Sequence, residues 1–181
     1  MESYEDKVVC SLVEDTRVIA YVASSTSLVE EARNLHHTSP VATAALGRAL
    51  TLAGIMGIEL KEGQKLTLHI RCWGPLESIL VQANSQGEIR GYVAQPSVFL
   101  PSREDKKLNV EEAVGKGSQL SVIKDLGVGE PYAGYIEMPR GGIAYDLAYY
   151  FTASEQLPSA CSAGVYVGER GEALSAGGFI I

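Results

Sequence analysis

Val41-Ala42-Thr43-Ala44-Ala45-Leu46-Gly47-Arg48-Ala49-Leu50-Thr51-Leu52-Ala53-Gly54-Ile55-Met56-Gly57-Ile58-Glu59-Leu60 carries only two charged side chains, Arg48 and Glu59. Apolar or small residues lie on every side of it. A helix that is apolar all round is buried, either in the centre of a domain or in a membrane. At about 1.5 Å per residue it measures about 30 Å, long enough to cross a bilayer. Arg48 in its interior, the glycines Gly47, Gly54 and Gly57, and the lack of a basic flank oppose that reading. The stretch is therefore expected to be the core helix of a domain, with protein packed around most of its girth. A layer on each side is required, and Gly and Ala let those layers approach closely.

Outward from this helix the pattern changes. Lys65–Cys72 alternates, with Leu66, Leu68, Ile70 and Cys72 on one face and Lys65, Thr67, His69 and Arg71 on the other. That is a half-buried strand. Strands are expected over Glu77–Ala83 and Glu88–Gln95, joined by the turn Asn84-Ser85-Gln86-Gly87. Further strands are expected at Gln119–Lys124, Tyr132–Met138, Gly164–Val167 and Ala173–Ile181. On the N-terminal side, Lys7–Val13 and Arg17–Ala23 form a hairpin around Glu14-Asp15-Thr16. A short helix follows, with Ser27 and Glu30 as a capping box, Leu28, Ala32 and Leu35 on one face, and Pro40 as its stop. A brief helical turn is expected at Asn109–Val114, and a second helix over Ile143–Gln156 with Pro158 as its end. Pro96–Lys107 reads as a loop. Strands and helices without steady alternation make an α+β fold, and 181 residues are enough for a single domain, 1–181.

Fifteen Lys and Arg against 22 Asp and Glu give a net charge of -7, with no run of four basic residues. Phosphate backbones and anionic membrane surfaces are excluded as bulk electrostatic partners. The acidic start Met1–Asp6 is the opposite of a signal peptide, which points to the cytoplasm. Cys10, Cys72 and Cys161 form neither C-x-C nor C-x-x-C, against a disulfide framework or a local zinc site.

The remaining candidate residues have plain readings beside their chemical ones. His36 and His37 are adjacent, so one metal rarely uses both, and either supports the end of its helix. Cys72 and His69 fall on opposite strand faces, so Cys72 is read as a small buried apolar residue. Gly115-Lys116-Gly117-Ser118 departs from the phosphate-loop spacing, and no nucleotide site is expected. The carboxylates Glu137, Asp146 and Glu155 have no partner defined by spacing. Val98-Phe99-Leu100, held between Pro96 and Pro101, is a packed corner or a sticky edge. Ala176–Ile181 stops inside what reads as a buried strand, so more chain is expected to follow.

Several blocks, in order, resemble one family. Pro40–Arg48 preceded by His36 is similar to the start of the long helix of the bacterial redox-regulated 33-kDa heat-shock chaperones. Gly74-Pro75-Leu76, Gly87-x-x-Arg90-Gly91-Tyr92-Val93 and Leu120–Gly127 match next. Tyr149-Tyr150-Phe151-x-x-Ser154-Glu155-Gln156-x-Pro158 and Ala176–Ile181 complete the set. The resemblance covers nearly the whole chain. It implies a β/α/β fold, two sheet layers enclosing the buried central helix. It also implies a cytoplasmic stress-response holdase that works without ATP, binds unfolding clients through apolar surface, and often forms a homodimer. It marks His36, Arg48, Arg90, Ser154, Glu155 and Gln156 as signature residues of unassigned role. Val98, Phe99 and Leu100 are the candidate client contacts. The family's linker and C-terminal zinc domain, which sense oxidants through C-x-C and C-x-x-C, are absent from this chain, so neither zinc nor the redox switch carries over. An enzyme using His36, Cys72 or a carboxylate, and a dimerisation module, stand as the alternatives.

Overall fold

The computed structural model describes residues 5–181, so that Met1–Tyr4 of the acidic lead lie outside the described residues. Its elements are β1 Lys7–Leu12, β2 Ile19–Ser24, α1 Thr26–His36, α2 Pro40–Gly57, β3 Lys65–Arg71, β4 Ser78–Asn84 and β5 Ile89–Val93. They continue with α3 Val110–Val114, β6 Gln119–Asp125, β7 Tyr132–Glu137, α4 Ile143–Ala153, β8 Cys161–Val167 and β9 Ala173–Ile180. The strands make two antiparallel sheets, ordered β1-β2-β9-β8 and β5-β4-β3-β6-β7.

The sheets sandwich α2, which meets β8, β9 and β2 on one side and β4, β5 and β3 on the other. Every residue from Val41 to Gly57 except Arg48 is buried. Sequence dictates this packing through residues that lack bulk. A side chain at Gly47 would come within 2.7 Å of Val29 in α1 and 2.8 Å of Val165 in β8, and one at Gly54 within 2.6 Å of Ile89 in β5. The two glycines thus serve opposite layers. Buried hydroxyls on the rod are satisfied locally: Thr51 donates to Gly47 O at 2.8 Å and lies 2.6 Å from Ser25 Oγ. The middle layer also holds α1 and α4, each touching α2 and one strand of each sheet.

Several boundaries differ from expectation: β8 begins at Cys161 and not Gly164, α2 ends at Gly57 and not Leu60, and three helix ends have a visible cause. The first helix begins after Ser25, not at a Ser27–Glu30 box, because Asp6 supplies the cap from across the chain. Its carboxylate accepts the N–H groups of Ser27 at 3.1 Å and Leu28 at 2.6 Å. Glu30 instead accepts from Arg33 and from Ala173 N–H of β9 at 2.7 Å. Pro40 does not stop this helix, which ends on His37 in the left-handed conformation; it opens α2 at the first helical turn, where its missing N–H costs nothing, with Ser39 as cap. The last helix ends at Ala153, well before Pro158. Gln156 takes φ 57° and Leu157 N–H returns to Phe151 O at 2.9 Å, which closes the helix without a proline.

Candidate functional site

Each sheet has one face on the helical layer and one turned outward. On the five-stranded sheet the alternation read in β3 holds: Leu66, Leu68 and Ile70 are buried, while Lys65, Thr67, His69 and Arg71 face out. The outward groups bond to one another. His69 Nε2 lies 3.1 Å from Ser78 Oγ, Gln82 donates to Thr67 at 3.1 Å, and Arg90 donates to Gln82 Oε1 at 3.0 and 2.7 Å. These polar groups satisfy one another, while Tyr92 and Tyr135 stand exposed at 47% and 70% in the same outward row as His69.

The four-stranded sheet is different. Val8, Tyr21, Ala163 and Val165 pack on the core, and Ala23 and Ile180 are part of it. The opposite parity faces out. Register sets Val9 beside Val22, Val22 beside Phe179, and Phe179 beside Ser162 in a single row. Ser11 with Ala20 and Gly177 with Gly164 continue the rows on either side, and Tyr166 stands opposite Ser175. Val9 is 54% exposed, Val22 53% and Tyr166 67%. Lys7, at the edge, is the one charged side chain that the strands turn outward here. The result is an apolar platform of small and medium side chains. No candidate from the sequence lay on it. The signal was present, since β1, β2, β8 and β9 carry apolar residues at both parities where one buried face needs only one.

The expected site residues do not converge. Val98 and Leu100 pack against the core, whereas Phe99 projects outward at 85% exposure, so the corner is packed with one side chain free. Ser39 Oγ donates to Val98 O and ties that corner to the start of α2. Arg48 keeps a buried Nε with no hydrogen-bond partner; burial lowers its pKa, and nearby Glu111 opposes that shift. Glu155 accepts from Lys124 at 2.6 Å and from the buried Tyr150 hydroxyl at 3.0 Å, which fastens the end of α4 to β6. Ser154 caps α4 beside Gly134, and Gln156 supplies the left-handed turn. Ser154, Glu155 and Gln156 fasten the end of α4, whereas Arg48 makes no such bond through Nε. His36 and Arg90 alone meet, on opposite walls of a cavity of about 450 Å³ between α1 and β5.

The groups proposed for chemistry are dispersed as well. Asp146 is fully buried and accepts Arg140 N–H at 3.3 Å; burial raises its pKa, and its Oδ2 has no partner. Burial pushes the thiols of Cys72 and Cys161 up to about 12, leaving them protonated. Register puts Tyr21 and Ile180 between Cys10 and Cys161, and Cys72 follows β3 in the other sheet. These cysteines do not fit a zinc site, and no step through zinc is derived. Among the described residues no three His, Cys, Asp or Glu side chains group as metal ligands.

Residues 6–181 match the family described as Hsp33 protein. The 33 kDa chaperonin of Thermoanaerobacter sp. (strain X514) is 45% identical over 177 residues, 97% of this chain and 60% of that protein. The 33 kDa chaperonin of Geobacillus sp. (strain WCH70) is 46% identical over 176 residues, again 97% of this chain and 60% of that protein. The solved 33 kDa chaperonin from Thermotoga maritima is similar with a TM-score of 0.88 at 40% identity, over 94% of this chain and 59% of that one. The chain spans about 60% of the length of the curated relatives it matches.

Proposed function

This chain belongs to the Hsp33 family, a chaperone family, and from that premise we propose that it is the client-holding core of an ATP-independent holdase. The single observation that carries this reading is the outward apolar face of the four-stranded sheet. Exposed apolar area of this kind attracts segments that a folded client hides and an unfolding one exposes. Burying about 600 Å² of it yields roughly 15 kcal/mol gross at about 25 cal/mol per Å², most of which association and ordering remove. The remainder suits loose, sequence-tolerant holding. Phe99 adds one exposed apolar contact away from the platform, with Val98 and Leu100 serving as its packed base. Cytoplasmic location, unfolded proteins as partners, and homodimerisation belong to the same reading.

In the same reading, holding by residues 1–181 needs no oxidant. Burial keeps the thiols of Cys72 and Cys161 protonated, which opposes their oxidation because thiolate is the reactive form, and leaves Cys10 as the exposed thiol. Within these 181 residues the three cysteines form no C-x-C or C-x-x-C pair. The test is light scattering of a heat-unfolded client with peroxide and with reductant. Equal suppression of aggregation in both is expected. No suppression in either condition overturns the holdase reading, and suppression only with peroxide overturns the claim of oxidant independence.

A further inference from the structure

Two independent features meet at the edge of the five-stranded sheet. β5 is its outermost strand on one side. Asn84 N–H bonds to Glu88 O at 3.2 Å and Ala94 N–H to Ser78 O at 2.8 Å, and the register between them is unbroken. In an antiparallel ladder this makes Glu88, Arg90, Tyr92 and Ala94 the residues that exchange bonds with β4. Ile89, Gly91 and Val93 then turn their N–H and C=O groups away from β4; Val93 is buried, so Ile89 and Gly91 are the open part of this edge.

The second feature is the cavity beside them. Ile89, Arg90, Gly91 and Tyr92 all line it, both parities in succession, as a space lying against a strand edge requires. Leu28, Ala32 and Leu35 of α1 form the facing wall. Leu35 is 68% exposed although it sits on the apolar side read from sequence, so it serves this space instead of the core. Gly91 is bare because a side chain there would meet Leu80 O of β4 at 2.7 Å, which leaves its backbone open to a neighbour. A helix laid directly on an edge would blunt it. Here a gap remains.

We propose that this groove takes an extended, apolar segment of an unfolded polypeptide as a sixth strand, paired to the free edge of β5 with alternate side chains against α1. Charge supports that occupant. Glu31 on the helix and Arg90 on the strand set opposite signs on the two walls, which matches a segment without net charge. The inference rests on the holdase reading and adds a backbone grip to it. Such a grip is indifferent to sequence because every polypeptide supplies the same donors and acceptors.

The test uses the intact chain and a labelled heptapeptide of alternating valine and threonine. Amide hydrogen exchange is followed residue by residue. On peptide addition, Ile89 and Gly91 are expected to slow at least tenfold, while Arg90 and Tyr92, already paired with β4, stay unchanged. Leu35→Asp, at an exposed position, is expected to weaken the peptide at least tenfold with an unchanged thermal midpoint. Peptide that fails to bind, or that binds without protecting those two amides, overturns the proposal. So does protection of the two amides without peptide in a dimer, which would assign the edge to a second copy. If the chain suppresses client aggregation while these amides stay open, the groove falls and the holdase reading stands. A chain that protects no client yet slows at both amides on peptide addition upholds the groove and removes the holdase reading.

Discussion

The two sheets share a core and differ in how much bonded polar side chain covers their outer faces, although Tyr92 and Tyr135 are exposed on the five-stranded one. Outside the five-stranded sheet, His69, Gln82 and Arg90 bond to neighbours on adjacent strands and leave little for a partner to satisfy. Outside the four-stranded sheet, Val9, Val22 and Tyr166 stand exposed without a covering layer. Both sheets are stabilised from within by the same rod, so stability does not explain the difference. An apolar face that the fold does not use is available for something else. This contrast supports the platform, in preference to the outer face of the five-stranded sheet, as the proposed client surface.

The comparison can be broken or sharpened in four ways, the largest effect first. Leu52 is fully buried on α2, and Leu52→Ala should cost about 2–5 kcal/mol of stability by chemical denaturation. A much smaller loss would mean the sheets do not depend on a common core. Next, Val9→Lys with Val22→Glu places opposite charges on directly opposed residues, which keeps the strands paired. At least tenfold more chain should then be needed to suppress client aggregation, with stability changed by about 1 kcal/mol or less. Undiminished protection would remove the platform from the account.

A smaller effect concerns how the apolar sheet is held from its inner side. The Arg33 guanidinium, followed by Ala173 N–H, holds the Glu30 carboxyl below its usual pKa. A depressed folded-state value means that the stabilisation is present above the unfolded carboxylate pKa and lost as pH falls through the folded one. Glu30→Gln should therefore cost about 1 kcal/mol at neutral pH and flatten the acid limb of a melting-temperature profile. An unchanged acid limb would show that this tie contributes nothing. The smallest effect is expected from Ser121→Lys with Tyr135→Glu, an opposed pair on the outer face of the five-stranded sheet. Client protection should not change, and a loss equal to that on the platform would erase the contrast between the faces.

How much of this was legible varies with how local the cause is. α2 was readable because burial on all sides leaves its mark from Val41 to Gly57, with Arg48 the one exception. β3 was readable because one buried face imposes alternation. The cap on α1 was not, since Asp6 reaches the helix from before the hairpin and no short spacing encodes that. The end of α4 was misread because a left-handed Gln156 did the work assigned to Pro158. Resemblance marked Arg90 and Glu155, yet their roles depend on Gln82 and Lys124, partners set by sheet register. The platform and the β5 edge follow from strand order, which arises from long-range pairing that no single segment records.

The scarcity of charge on the platform, which has only Lys7 at its edge, has a colloidal consequence. The surplus of negative groups that keeps these molecules apart lies elsewhere on the surface, so repulsion acts at a distance and adhesion only on contact. Dissolved electrolyte shortens the reach of the first, to about 8 Å at physiological ionic strength, and leaves the second nearly untouched. Added salt is therefore expected to drive these chains toward one another at the same face proposed to meet an unfolding protein, so that self-association would compete with the proposed holding.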